Sequence, residues 1–236
     1  MAGLFFWALT LLAGGFTIIQ LYQANMRYRR AQFVRDYAWP RGLLEKLEKG
    51  AVPMTRKDSA LVGNGLRQFF LAYLNSGRKY VAMPSVIADE LWHEFILYTR
   101  DYRTFCDNAF GIFLDHTPAE VLSASKKSSN EGLRRVWWQV CKIEAVDPRY
   151  PSRLPLLFAL DTKLKVPGGY VYHPNCAALR EGGVSNGQCG GDFSSSSFDG
   201  GTSGFGDGGG DGGSDGGSDG GGDGGGDGGG GCGGGD

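Results

Sequence analysis

The chain has 236 residues, with 24 lysines and arginines against 25 aspartates and glutamates, and its formal net charge is -1. That neutrality hides two unlike segments, because residues 182–236 hold 29 of the 41 glycines and nine aspartates but no Lys, Arg or Glu. The 25 acidic residues less these nine leave 16 against 24 basic residues in 1–181, so the tail carries -9 and the remainder +8. Without the tail and the first 30 residues, about 151 remain, which excludes more than one compact domain.

The first predicted element is a transmembrane helix. Residues 3–22 carry no charged side chain and are rich in Leu, Phe, Ile and Ala. At about 1.5 Å per residue they would span roughly the 30 Å of a bilayer's hydrocarbon core. Basic residues follow the run but do not precede it, which predicts a single-pass protein of a bacterial inner membrane with its N-terminus out and its bulk cytoplasmic. A cleaved signal peptide and a buried core helix are the alternatives.

The basic flank suggests a lipid contact. We expect Arg27, Arg29, Arg30 and Arg35 to lie near anionic headgroups, although a plain solvated flank explains the same charges.

The middle of the chain is helical by its periodicity and capping signals, with little strand-like alternation. Helices are predicted at 41–49, 59–75, 84–98, 100–109, 131–145 and 155–164, and a further one begins at the capping-box pattern of 117–120. A single strand-like piece lies at 170–172. The predicted fold class is all-α: a transmembrane helix with its basic flank (1–30), a small helical bundle with at most a minor β element (31–181), and a tail (182–236).

The composition of the tail predicts that it is disordered. Six aspartates recur every four residues from Asp207 to Asp227, separated by Gly or Ser, so there is almost nothing to bury. The acidic tail could lie against the basic domain, repel acidic headgroups, or simply be solvated. The five cysteines are an odd number at irregular spacing, which does not indicate a disulfide framework.

The most distinctive stretch, residues 91–116, contains two of the three histidines. Imidazoles at His93 and His116 with a thiolate at Cys106 would supply three ligands suited to zinc, and Cys176 or His173 would supply a fourth. On one unbroken helix His93 and Cys106 would lie roughly 20 Å apart, so the site needs a break in the helix.

Thr99 is the natural break, since its hydroxyl can cap a helix over 100–109 before Gly111 ends it. Each ligand also has a structural explanation. Cys106 falls on an apolar helical face, and His93 follows Asp89 by four residues, which is typical of a surface ion pair. His116 could satisfy a helix terminus.

At this stretch the chain resembles the glycine-rich domain-containing proteins of plants and fungi and bacterial membrane proteins similar to them. The resemblance rests on these residues: Trp92, His93, Ile96, Leu97, Thr99, Tyr102, Cys106, Gly111 and His116. It covers about 30 residues closely, and it implies two helices separated at Thr99 within a helical domain of unassigned biochemistry.

These observations favour a membrane protein that presents a cytoplasmic helical interaction domain and an acidic glycine-rich tail, and that acts by binding rather than by catalysis. The alternative is a zinc-type sensor or enzyme built on His93, Cys106 and His116, with Glu90 or Glu94 as a proton-transfer group. No nucleophile motif or nucleotide fingerprint is present, and without an RNP-like aromatic motif we expect no nucleic-acid partner.

Overall fold

The computed structural model describes residues 2–50, 52–116, 131–174, 188–189 and 193, and for 2–5, 8–9 and 188–189 it describes the backbone alone. Within these ranges the helices are α1 (Ala2–Asp36), α2 (Leu43–Glu48), α3 (Arg56–Asn75), α4 (Val86–Leu97), α5 (Thr99–Ala109), α6 (Glu131–Ile143) and α7 (Leu156–Leu164). Two short strands, β1 (Tyr172–His173) and β2 (Gln188–Cys189), pair in parallel. The predicted all-α class with a minor β element is confirmed for the described residues.

Helix α3 lies at the centre of the bundle, in contact with α1, α2, α4, α6 and α7. It begins at a capping box, in which the Thr55 hydroxyl accepts the amide of Asp58 at 3.2 Å and the Asp58 carboxylate accepts the amide of Thr55 at 3.0 Å. A Cβ at Gly65 would come within 2.4 Å of a methyl carbon of Leu160. The glycine therefore lets α7 approach α3 more closely than any other residue would.

Aromatic rings fill the corner between α3, α4 and α5. The fully buried side chains there include Phe70, Phe95 and Phe105. The ring of Phe70 lies 4.9 Å from that of Phe105 and 6.0 Å from those of Trp92 and Phe110, measured between centroids. Tilted and edge-on contacts at these separations stabilise a core beyond the burial of area alone. This corner fixes the relative positions of α4 and α5.

Helix α1 has two unlike halves. Near its C-terminal end Ala31 and Val34 are buried, and a guanidinium nitrogen of Arg30 donates to the carbonyl of Phe110 at 2.8 Å. In the N-terminal half the large apolar side chains that the structure describes are each more than half exposed: Phe6, Trp7, Leu11, Leu12, Phe16, Ile18, Ile19, Leu21 and Tyr22. Of the described side chains of α1, those that pack against the bundle therefore lie in its second half.

The predicted transmembrane helix is not found in the part of the chain that the structure describes, where no helix combines the length and the apolar character needed to cross a bilayer. The predicted span at 3–22 includes residues 3–5, 8 and 9, whose side chains lie outside that description.

The packed region includes a residue from the segment predicted as tail. Phe193 is 3% exposed, and its ring centroid lies 5.9 Å from Trp137, 6.0 Å from Phe158 and 6.1 Å from Tyr172. The helical domain thus draws on sequence beyond residue 181. The capping box at 117–120 and the aspartate repeats from Asp207 lie outside the described residues.

Glu144, just after α6, fixes the start of α7. Its carboxylate accepts the side-chain amide of Gln68 at 2.8 Å and the backbone amide of Leu156 at 2.6 Å, and it pairs with Arg153. Burial acts to raise the pKa of Glu144, but the Leu156 amide, the Arg153 guanidinium and the Gln68 amide outweigh it, so the pKa is lowered. The ionised carboxylate is therefore the form that holds these elements together.

Candidate metal centre

Two side chains from different parts of the chain hold the N-terminus of α4. The Ser85 hydroxyl accepts the amide of Ala88 at 3.2 Å, as an N-cap does, and donates to the Asp161 carboxylate at 2.7 Å. The same carboxylate, from α7, accepts the amides of Val86 at 2.8 Å and Ile87 at 3.3 Å. Asp161 is 3% exposed, so the first turn of α4 is anchored from inside the bundle.

The predicted break between two helices is confirmed, although its mechanism differs from the prediction. Helix α4 ends and α5 begins at Tyr98, whose backbone (φ -78°, ψ 60°) leaves the helical region. The predicted cap by the Thr99 hydroxyl is wrong, because Thr99 is the first helical residue and Tyr98 occupies the N-cap without a side-chain hydrogen bond. Gly111, at φ +73°, ends α5 as predicted, with its amide donating to the carbonyls of Cys106 and Asp107.

The segment after α5 returns to α4 and brings His116 with it. The Tyr102 hydroxyl donates to the Leu114 carbonyl at 2.5 Å and accepts the indole N–H of Trp92 at 3.1 Å. The Trp92 indole also packs edge-on against the His116 ring, at a centroid distance of 4.6 Å. Tyr102 and Trp92, both buried, therefore position the loop that carries the histidine.

Asp89, His93 and His116, called the Asp-His-His cluster from here, converge at this point. The Nε2 atom of His116 lies 3.0 Å from Oδ1 of Asp89, and the Nε2 atom of His93 lies 3.9 Å from Oδ2. The two imidazole rings are 4.2 Å apart between centroids. Among the described residues, this is the group of three metal-type side chains whose ligand atoms all lie within 4.8 Å of one another.

The cluster lies at the surface, with one well-shielded member. The side chains of His93, Asp89 and His116 are 55%, 32% and 16% exposed. Asp89 and His93 are four residues apart on α4, which places them on one face of the helix, as the ion-pair interpretation required. His116 comes from the loop, so the cluster exists only in the folded chain.

The predicted ligand Cys106 does not join the cluster. It is fully buried in α5, beside the Tyr102 hydroxyl and Leu114, and burial raises the pKa of its thiol. Since the thiolate is the form that binds metals, this environment opposes coordination. Cys176 lies outside the described residues, and His173 belongs to β1. The predicted zinc site therefore stays a prediction for His93 and His116, and the structure brings to them Asp89, which sequence reasoning took only as an ion-pair partner.

Neither of the two glutamates considered for proton transfer belongs to the cluster. Glu94 pairs with Lys46 of α2, and this bond raises the pKa of Lys46. A carboxyl oxygen of Glu90 lies near Gly50, 3.8 Å from the position that a Cβ would take there. The chemistry that the described residues offer at the cluster is thus that of two imidazoles and one carboxylate.

Comparison with protein-family models gives a match to this domain. A model described as UCP032817-like matches residues 29–193, from the basic part of α1 to the buried Phe193. The chain belongs to the UCP032817-like family. Neither the curated proteins nor the solved structures contain a match to it.

The family match corrects the resemblance to the glycine-rich domain-containing proteins, which is wrong. That resemblance rested on a short pattern, and three of its residues, Trp92, Tyr102 and Cys106, are buried packing positions of the α4–α5 corner. The match also ends at residue 193, before the regular aspartates of the glycine-rich segment begin. A few core positions and a biased composition do not define a family.

Proposed function

We propose that the N-terminal half of α1 attaches the protein to a membrane, and that the helical domain acts there by binding rather than by catalysis. The exposed apolar surface of α1 carries the membrane part of this proposal. At 100° per residue, its large apolar side chains between residues 6 and 22 point to every side of the helix, and each is more than half exposed. A helix that is apolar all round is typical of burial in protein or in lipid, and the described part of the bundle leaves these side chains exposed.

The arginines that follow support a contact with anionic lipid. Arg27 and Arg29 are exposed and come five and seven residues after Tyr22, about 8–10 Å further along the helix axis. That distance suits headgroups flanking an inserted helix, where each basic residue contributes about 1 kcal/mol. Arg30 is partly committed to the Phe110 carbonyl, and Arg35 lies roughly 20 Å beyond Tyr22, so the proposal rests mainly on the first two arginines.

Flotation of the full chain with lipid vesicles tests the attachment. We expect the wild type to float, and a Leu11→Arg/Ile18→Arg variant to stay in the dense fraction, because both charges would have to enter hydrocarbon. Tyr150→Arg is the matched control, since Tyr150 is 83% exposed on the domain and should not affect flotation. A wild type that remains with the dense fraction on both neutral and anionic vesicles would refute the proposal.

Topology follows from the charge asymmetry. With basic residues after the apolar run, we expect the helical domain on the cytoplasmic side of a bacterial inner membrane. An alkaline-phosphatase fusion after Asp236 should then be inactive, because that enzyme requires an oxidising compartment. An active fusion would place the domain on the opposite side.

A further inference from the structure

We infer that Asp89, His93 and His116 bind one divalent transition-metal ion of the class that prefers imidazole and carboxylate ligands, such as Zn²⁺ or Co²⁺. This site is independent of the proposed membrane attachment. It also differs from the site predicted from the sequence, because the carboxylate of Asp89 takes the place of the Cys106 thiolate.

The distances are close to those that a metal requires. Ligand atoms about 2.0–2.2 Å from a tetrahedral zinc ion lie roughly 3.3 Å from one another. The pair His116 Nε2 and Asp89 Oδ1, at 3.0 Å, is already near this value. The pair His93 Nε2 and Asp89 Oδ2, at 3.9 Å, involves the other carboxylate oxygen. Taken with one ligand atom from each residue, the three atoms lie within 4.8 Å of one another, so the side chains must close by at most about 1.5 Å. His93 is 55% exposed, which leaves its side chain room to rotate.

His116 is the ligand least able to change its position on metal binding, and its neighbours already fix it. His116 is the most shielded of the three, with its ring between those of Trp92 and His93 at 4.6 and 4.2 Å. Two residues earlier, the Leu114 carbonyl is fixed by the Tyr102 hydroxyl. This support limits the conformational entropy that metal binding would cost.

The chemistry of the cluster selects the metal. Two imidazoles and a carboxylate are borderline ligands, which suit zinc and its neighbours, whereas calcium and magnesium prefer sites made of oxygen alone. Copper(I) prefers thiolate, and the described residues of the cluster include none, because Cys106 is fully buried beside Tyr102. One carboxylate also leaves a net positive charge on the bound ion, so an anionic or neutral fourth ligand would be favoured.

Among the residues that the structure describes, three side chains at this point can bind the ion, one fewer than in a closed tetrahedral site. Structural zinc sites are closed by four protein ligands, whereas sites with three hold a water or an exchangeable ligand. His93 and Asp89 are 55% and 32% exposed, so solvent reaches two of the three ligands.

Metal titration of the full chain in detergent micelles tests this inference. We expect one equivalent of Zn²⁺ to bind by calorimetry, and His93→Ala, His116→Ala and Asp89→Asn each to weaken binding by at least about tenfold. Cys106→Ala is the control and should retain binding, because that thiol is fully buried in α5 and lies outside the cluster.

Cobalt provides a readout that does not depend on any variant folding. Bound Co²⁺ should show visible ligand-field bands without the near-ultraviolet charge-transfer band that a thiolate ligand gives. Absence of stoichiometric binding in the wild type would overturn the inference. So would a thiolate band, or binding that survives loss of the cluster histidines and disappears in Cys106→Ala.

Discussion

Asp161→Asn changes neither the volume nor the burial of a side chain, yet we expect it to destabilise the bundle. One carboxylate oxygen accepts from the Ser85 hydroxyl at 2.7 Å and the Ile87 amide at 3.3 Å. The other accepts from the amides of Val86 at 2.8 Å and Tyr170 at 2.9 Å. An asparagine must turn an NH₂ group, which is a donor, toward one of these pairs of donors.

The cheaper orientation places the NH₂ group at Ser85, because that hydroxyl can turn and accept. The Ile87 amide then loses its acceptor, at about 1–3 kcal/mol for a buried unsatisfied group. The two amides at the other oxygen exchange a charged acceptor for a neutral one, which costs about 1 kcal/mol each. The expected loss in the free energy of unfolding is about 3–5 kcal/mol.

Urea denaturation of the full chain, followed by helical circular dichroism, measures this loss. Asp147→Asn is the matched control, because Asp147 caps only the amides of Arg149 and Tyr150 in an exposed turn and should change stability by about 0.5 kcal/mol or less. If Asp161→Asn cost under about 1 kcal/mol, or no more than the control, the account of Asp161 as the anchor of α4 would be refuted.

Three further predictions concern packing, pH and thiol reactivity. Gly65→Ala should lower the free energy of unfolding by about 1–3 kcal/mol, despite the better helix propensity of alanine, because its Cβ would lie 2.4 Å from Leu160. Gly14→Ala is the control and should lower it by nothing, because no atom lies within 4 Å of the added Cβ. Equal effects of the two substitutions would contradict the packing argument. The pKa of Glu144 is lowered on folding, so its contribution to the free energy of unfolding is present at neutral pH and lost as the pH falls through the folded-state pKa. In urea titrations, the stability that Glu144→Gln loses relative to the wild type should therefore shrink in acid. A loss that stays constant with pH would argue against this linkage. Burial raises the pKa of the Cys141 thiol to about 12. Iodoacetamide at pH 8 should therefore label Cys141 in urea but not in the folded chain, as measured by peptide mass spectrometry. Rapid labelling of the folded chain would show that the thiol is not buried.

Periodicity predicted the bundle because each helix buries an apolar face that the sequence displays. The start of α3 was missed by three residues: the apolar pattern begins near Ser59, whereas the helix begins at Arg56, after the capping pair Thr55 and Asp58. Those two residues are a readable signal that precedes the apolar run. Two core contributions could not be predicted, because Asp161 meets α4 from some 75 residues away and Phe193 comes from a glycine-rich segment.

The candidate site shows the same limit. The sequence marked His93 and His116 as metal-type ligands, and the break at Tyr98 with the turn at Gly111 brings them together. Asp89 was considered only as a partner of His93, although a spacing of four residues on a helix suits a shared metal equally well. Cys106 falls on an apolar helical face, a pattern that indicated burial. The structure shows it buried, so the local pattern was a better guide than the ability of a thiolate to bind metal.

The central claim is that this domain carries a metal site of imidazole and carboxylate ligands, without sulfur. X-ray absorption at the zinc edge of the full chain, loaded with one equivalent of zinc, tests it most directly. We predict a first shell of nitrogen and oxygen at about 2.0–2.1 Å, with the outer-shell scattering of two imidazoles. A sulfur shell at about 2.3 Å, or a spectrum without histidine scattering, would contradict it.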